Sequence, residues 1–136
     1  MILLDTVALI RLTRNQSLSG DAVTRIRAAE AQNALYLSAV SAWELCLLET
    51  TGHTGGEIGG DGAAFLARAQ NLTLLQIIVL DARIAIESRR LPGVFHKDPA
   101  DRFIVATARI LGLSIVTTDS HILDYAASGN VRAIAC

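Results

Sequence analysis

The sequence predicts an α/β protein, a central and mainly parallel sheet of about five strands covered by helices on both faces. Two observations carry this. Short runs such as "ALYLS" and "LQIIVL" are apolar without alternation, as strands buried on both sides must be. Between such runs lie longer segments with the apolar spacing of helices. The 136 residues suit one domain, 1–136, with enough chain to bury a real core, and neither a repeat nor a linker interrupts it.

Taken in order, "ILLD" (2–5) reads as the first strand, and "TVALIRLTR" and "GDAVTRIRAAEAQ" read as helical. "ALYLS" (34–38) is the second strand, followed by a helix over "SAWELCLLE" (41–49). The stretch "TGHTGGEIGGDG" (51–62) holds six of the ten glycines. It lacks the Lys-Ser/Thr of a phosphate loop and no strand precedes it, so it reads as a flexible connection between helices, with a flap over the site as the alternative. "LQIIVL" (75–80) is the third strand and leads into "DARIAIESRRL", a helix. "DPADR" opens the next helix, "LSIVTT" (113–118) is the fourth strand, a short helix forms near "SHILDYAA", and "VRAIA" (131–135) is the last strand.

Composition excludes several function classes. Half the residues are hydrophobic (51%) and only 18% charged, which predicts apolar surface left for a partner. The net charge of −1 gives no basic field for non-specific nucleic-acid binding, so a polyanion has to be gripped locally. Aromatic content of 4% rules out a stacking platform for single strands, and Trp43 is expected in the core. Lys97 is the only lysine. Cys46 and Cys136 have no framework or zinc spacing and read as reduced thiols of a cytoplasmic protein. "MILLD" is too short and too soon acidic for a signal peptide, and no apolar run is long enough for a membrane span.

The informative residues are acidic ones at strand ends and helix starts, since ligands of a parallel sheet bind at the carboxyl edge. Asp5 ends the first strand, and Glu44 lies in the first turn of the helix after the second. Asp101 lies in the first turn of the helix before the fourth strand, and Asp119 ends that strand; Asp81 and Asp98 also qualify. Each has a capping explanation. Ser41-Ala-Trp-Glu44 has the form of a capping box, and Asp98-Pro99 is an N-cap with proline at the first helical position. Asp101, however, shares a helical face with Ile104, Val105 and Ala108, so it points toward the sheet, where an unpartnered carboxylate is costly. Several anions meeting at one edge repel unless a cation joins them, and an all-oxygen ligand set selects a hard divalent ion, Mg²⁺ or Mn²⁺. His53, His96 and His121 form no ligand spacing; His96 and His121 adjoin Asp98 and Asp119 and are candidate supporting groups.

"ILLDT", "SAVSAWEL" around Glu44, "HKDPADRFIVATA" and "IVTTD" stand in the order and rough spacing of PIN-domain proteins, and the chain resembles the VapC-type toxins of toxin–antitoxin pairs over essentially its full length. The resemblance implies a PIN-like three-layer α/β/α sandwich and a Mg²⁺- or Mn²⁺-dependent endoribonuclease, a hydrolase of RNA phosphodiester bonds. It also implies a homodimer and a cognate antitoxin, with no membrane role. It puts the catalytic quartet on Asp5, Glu44, Asp101 and Asp119, with Asp5, Asp101 and Asp119 as metal ligands. Thr6, Asp98, Arg102 and Thr117 become candidate supporting or substrate-contacting groups, and Arg11 and Arg14 candidate phosphate contacts beside Asp5. Val7 departs from the Asn or His frequent after "DT", and "LCLLETTGHTGG" lacks the lysine usual after Glu44. A PIN nuclease of RNA processing, or a catalytically inactive PIN-like binding module, would share these motifs. A receiver-type phospho-acceptor domain needs a lysine at a strand end, whereas Lys97 precedes a helix.

Overall fold

The computed structural model describes residues 1–50 and 57–136. Five strands form one sheet: β1 (Ile2–Leu4), β2 (Leu35–Ser38), β3 (Gln76–Ile78), β4 (Ser114–Thr117) and β5 (Arg132–Ala135). Their order is β3-β2-β1-β4-β5 and every neighbouring pair runs parallel. The helices between them are α1 (Thr6–Thr13), α2 (Gly20–Ala31), α3 (Ala39–Leu48), α4 (Gly62–Thr73), α5 (Ala82–Arg89), α6 (Pro99–Leu111) and α7 (Ser120–Ala127). Among the described residues no helix is long and apolar enough to cross a membrane.

Strand periodicity explains the two cores. Ile2 and Leu4 of β1, Leu35 and Leu37 of β2, and Val116 of β4 point to one side, where they meet Leu9, Ile26, Leu45, Phe65 and their neighbours on α1–α4. Leu3 and Ile115 point to the other, against Ile84 of α5, Ile104 and Val105 of α6, and Ile122 of α7. The result is the expected three-layer α/β/α sandwich. From β1 the chain winds outward to β2 and β3, then crosses to β4 on the opposite side of β1. The switch point of the sheet therefore lies between the carboxyl ends of β1 and β4.

Two local expectations fail in the helix after β2. The helix after β2 starts at Ala39, with Ser38 as N-cap through its hydroxyl and the Val40 N–H, rather than at Ser41. Ser41 is a fully buried residue inside the helix, so no Ser41–Glu44 capping box forms and Glu44 lies in the second turn. With the helix in this register Val40, Ser41 and Leu45 face inward, which turns Trp43 out to 55% exposure instead of into the core. α4 occupies a stretch that the sequence reading leaves unassigned after the glycine-rich connection.

Of that connection, residues 51–56, including His53, lie outside the described residues, and with them most of the choice between flap and loop. The part that is described is fastened down: Ile58 is buried in the core and the Glu57 carbonyl accepts from Arg14. Gly62 opens α4 where a β-carbon would stand 2.7 Å from the backbone of Leu45, so glycine alone permits this approach of α4 to α3. Gly62→Ala is accordingly expected to destabilise the fold by about 1–3 kcal/mol. Gly20→Ala, at an open helical position, should be neutral or stabilising by up to about 1 kcal/mol. Urea denaturation of the two variants checks the contrast.

Candidate functional site

At the switch point a cleft of about 450 Å³ is lined by Asp5, Thr6, Glu44, Asp98, Asp101 and Asp119, with Val7, Ile104, Thr118 and Ser120. The sheet brings these carboxylates to one edge from three helix starts, α6 supplying both Asp98 and Asp101, and one helix interior. Asp5 follows β1 and caps α1, its Oδ1 accepting the Ala8 N–H at 2.5 Å. Asp98 caps α6, accepting from Ala100 and Asp101 N–H at 2.9 and 3.3 Å, with Pro99 at the first helical position as expected. Asp119 follows β4 and caps α7 through the His121 and Ile122 N–H groups at 2.7 and 3.1 Å.

Two threonines tie the elements together. The Thr117 hydroxyl accepts the Asp119 N–H at 2.9 Å and donates to Asp5 Oδ2, linking the ends of β1 and β4. The Thr6 hydroxyl donates to Glu44 Oε2 at 2.5 Å, linking α1 to α3. Asp5, Thr6 and Thr117 are buried. Asp101 sits at the third position of α6 above the fully packed Ile104, Val105 and Ala108, so its carboxylate is turned inward.

Among the described residues, no arginine or lysine pairs with Asp5, Glu44, Asp98, Asp101 or Asp119; the ion pairs formed are Arg25–Asp21, Arg83–Asp81, Arg109–Glu87 and the contact of His96 with Asp101. The consequence is visible in proton affinity. Burial pushes the Asp5 carboxyl up to about 6 against the pull of its Thr117 and Ala8 hydrogen bonds. Burial, then repulsion from Asp119, Asp98, Glu44 and Asp5, pushes Asp101 up to about 7. Glu44 is raised by burial, in opposition to its Thr6 hydrogen bond. Crowded carboxylates without a cationic side chain fit a divalent cation, which would relieve the repulsion that raises them.

The other candidates separate. Arg102 spends its guanidinium on backbone carbonyls, donating to Ser88 at 2.7 Å, Phe95 at 3.2 Å and His96 at 3.0 Å, so it straps the segment before α6 to that helix. Arg14 is held by the Glu57 carbonyl at 2.6 Å. Arg11 lies close enough to Asp5 to ease its ionisation. Sequence reasoning gives His96 only a supporting part, by adjacency to Asp98. In the folded chain its Nε2 stands 3.1 Å from Asp101 Oδ2, and one atom each from His96, Asp101 and Asp119 lie within 4.8 Å of one another. Asp5 lines the cleft with Asp101 and Asp119 but is not one of that trio, and His96 reaches Asp101 from an adjoining cavity that it lines with Phe95, His121 and Tyr125. No periodicity could reveal this contact, because the Asp98 cap breaks the chain direction between His96 and Asp101.

A family model described as PIN domain matches residues 2–128. No curated protein sequence matches the chain. Among solved structures, FitAcB from Neisseria gonorrhoeae is similar at 23% identity and a TM-score of 0.65, over 98% of this chain and 96% of that one. VapBC2 from Rickettsia felis, bound to a DNA fragment from its promoter, is similar at 15% identity and a TM-score of 0.70, over 100% and 99%. VapBC-5 of Mycobacterium tuberculosis, a toxin–antitoxin system, is similar at 18% identity and a TM-score of 0.60, over 98% and 97%.

The raised carboxyls set a sign for stability against pH. Asp5 and Asp101 keep protons in the folded chain at pH values where the unfolded chain, at the ordinary 3.8, has released them. Their contribution is full below that value and is lost as pH rises through about 6 and 7. In chelator, the melting temperature should therefore fall between pH 5 and pH 8, and Asp101→Asn should raise it at pH 8 and flatten the slope; calorimetry across this range checks both. Thr117→Val strands a buried Asp5 oxygen and the Asp119 N–H, and is expected to cost about 1–3 kcal/mol, readable by urea denaturation.

Proposed function

The chain belongs to the PIN-domain family, matched over residues 2–128, and from that premise we propose that it is a Mg²⁺- or Mn²⁺-dependent endoribonuclease, the toxin of a toxin–antitoxin pair. The observation that carries this reading is the meeting of Asp5, Glu44, Asp101 and Asp119 in one cleft with no arginine or lysine paired to them among the described residues. Asp5, Asp101 and Asp119 are the residues that would hold the ion, and Glu44 and Asp119 those that orient water. A bound divalent cation supplies positive charge against the anionic pentavalent phosphorus and acidifies nearby water.

The chain's own groups do the rest. Thr117 and the Ala8 N–H hold Asp5 in one rotamer, and Thr6 does the same for Glu44, so the carboxylates are aimed before substrate arrives. A water oxygen bonds to phosphorus in line with the departing 3′ oxygen, and a carboxylate at Glu44 or Asp119 takes the water's proton. The P–O3′ bond breaks and the 3′ oxygen is protonated, which leaves a 5′-phosphate and a 3′-hydroxyl. In this reading water rather than the 2′-hydroxyl is the nucleophile, with the carboxylates of the cleft placed to take its proton.

An antitoxin partner is part of this proposal, supported by structural neighbours that are toxin–antitoxin systems and by large apolar side chains left exposed, among them Trp43, Leu47, Leu72, Val79 and Ile86. A homodimer would use part of the same apolar surface, and a cytoplasmic location belongs to the same proposal, RNA being the substrate.

Purified protein is expected to cleave RNA with Mn²⁺ or Mg²⁺ and to lose cleavage in chelator. Asp101→Asn should lose at least 100-fold in rate while keeping the helical circular dichroism, because Asp98, not Asp101, caps α6. Transfer, ribosomal and messenger RNA are tested in parallel with a melt of each variant. Cleavage that survives the substitution, or none on any RNA with either metal, would overturn the reading.

A further inference from the structure

Resting on the metal-dependent reading above, we propose that His96 is itself a ligand of the divalent ion and that this nitrogen donor biases the centre toward Mn²⁺ over Mg²⁺. The geometry is that of ligands already gathered. Adjacent ligands of an octahedral ion with bonds of about 2.1 Å stand about 3.0 Å apart, and opposite ones about 4.2 Å. His96 Nε2 lies 3.1 Å from Asp101 Oδ2, the spacing of adjacent ligands, and the His96, Asp101 and Asp119 ligand atoms all fall within 4.8 Å of one another, close to the span of one coordination shell.

The imidazole is not spent elsewhere. Nε2 is buried, and although it is close to Asp101 Oδ2 it makes no hydrogen bond of proper direction, there or to any other group among the described residues. A buried ring nitrogen left without a hydrogen bond asks for a partner, and a cation shared with Asp101 provides one. The ring is also built into position. Arg102 Nη1 donates to the His96 carbonyl at 3.0 Å, the Phe95 ring meets the imidazole edge-on at 4.4 Å, and His121 stacks on it at 4.5 Å and 25°. A histidine fixed from its backbone and both sides loses little freedom on binding an ion.

The chemistry then sets the preference. Carboxylate and water oxygens alone suit Mg²⁺ and Mn²⁺ alike, whereas imidazole nitrogen favours transition-metal ions. Arg102 acquires a role in the same scheme, positioning His96 through its carbonyl rather than touching phosphate.

The test is direct metal binding, independent of RNA cleavage. Mn²⁺ and Mg²⁺ affinities are measured by calorimetry on the full chain at fixed pH, and bound Mn²⁺ is examined by pulsed electron paramagnetic resonance for nitrogen coupling. The wild type should bind Mn²⁺ at least tenfold more tightly than Mg²⁺ and show coupling to one nitrogen. His96→Gln should lose that coupling and about tenfold in Mn²⁺ affinity, with Mg²⁺ affinity changed less than twofold; His121→Gln should keep the coupling. Mn²⁺ bound without nitrogen coupling, or His96→Gln weakening both ions equally, would overturn the ligand role while leaving a metal-dependent nuclease intact. No binding of either ion to a folded wild type would overturn both, and the RNA assay in chelator would then report separately on the nuclease.

Discussion

The buried carboxylate of Asp5 is the constraint on which the rest of the site depends. It stands where β1 gives way to α1, with β4 on one side and α3 on the other, and a charge in that position must be satisfied from both directions. The Ala8 N–H meets one oxygen and the Thr117 hydroxyl the other, and the same hydroxyl accepts the N–H of Asp119. One threonine thereby fixes the relation of two strand ends, and with it the separation of two carboxylates.

That arrangement is purchased against stability. A protein selected only for folding would place an arginine among these acids, and arginine is abundant in this chain. Instead Arg102 goes to backbone carbonyls, Arg109 to Glu87 and the Asn130 carbonyl, and Arg14 to the Glu57 carbonyl. These three arginines brace the periphery, and among the described residues the carboxylates of the cleft are left without an ion pair to arginine or lysine. Two sound cores compensate, one on each face of the sheet, and both contain only apolar contacts of ordinary kind.

Much of this was legible in residues. Apolar runs without alternation marked β1 through β4, and Asp98-Pro99 marked the start of α6 to the residue. The inward aim of Asp101 followed from its spacing to Ile104 and Val105. The Ser41–Glu44 pattern misled because two serines, Ser38 and Ser41, compete to begin the same helix. The one that ends a buried strand wins, since its hydroxyl can cap while the other packs inside. Trp43, expected in the core as one of few aromatics, lies on the outer face because Val40, Ser41 and Leu45 take the inner one.

By itself the sequence determined what is local: periodicity, caps, and which acids stand at strand ends, because these depend on neighbours within a turn or two. Tertiary structure decided which of those ends meet. Asp5 and Thr117 are 112 residues apart, Thr6 and Glu44 are 38 apart, and both contacts exist only because β1 lies between β2 and β4. The contact of His96 with Asp101 is close in sequence yet equally hidden, since the direction of the chain across the Asp98 cap is set by Arg102 reaching back to the carbonyls before it. Strand order and the path of a loop arise from the packing of whole faces, and no short window of residues contains that information.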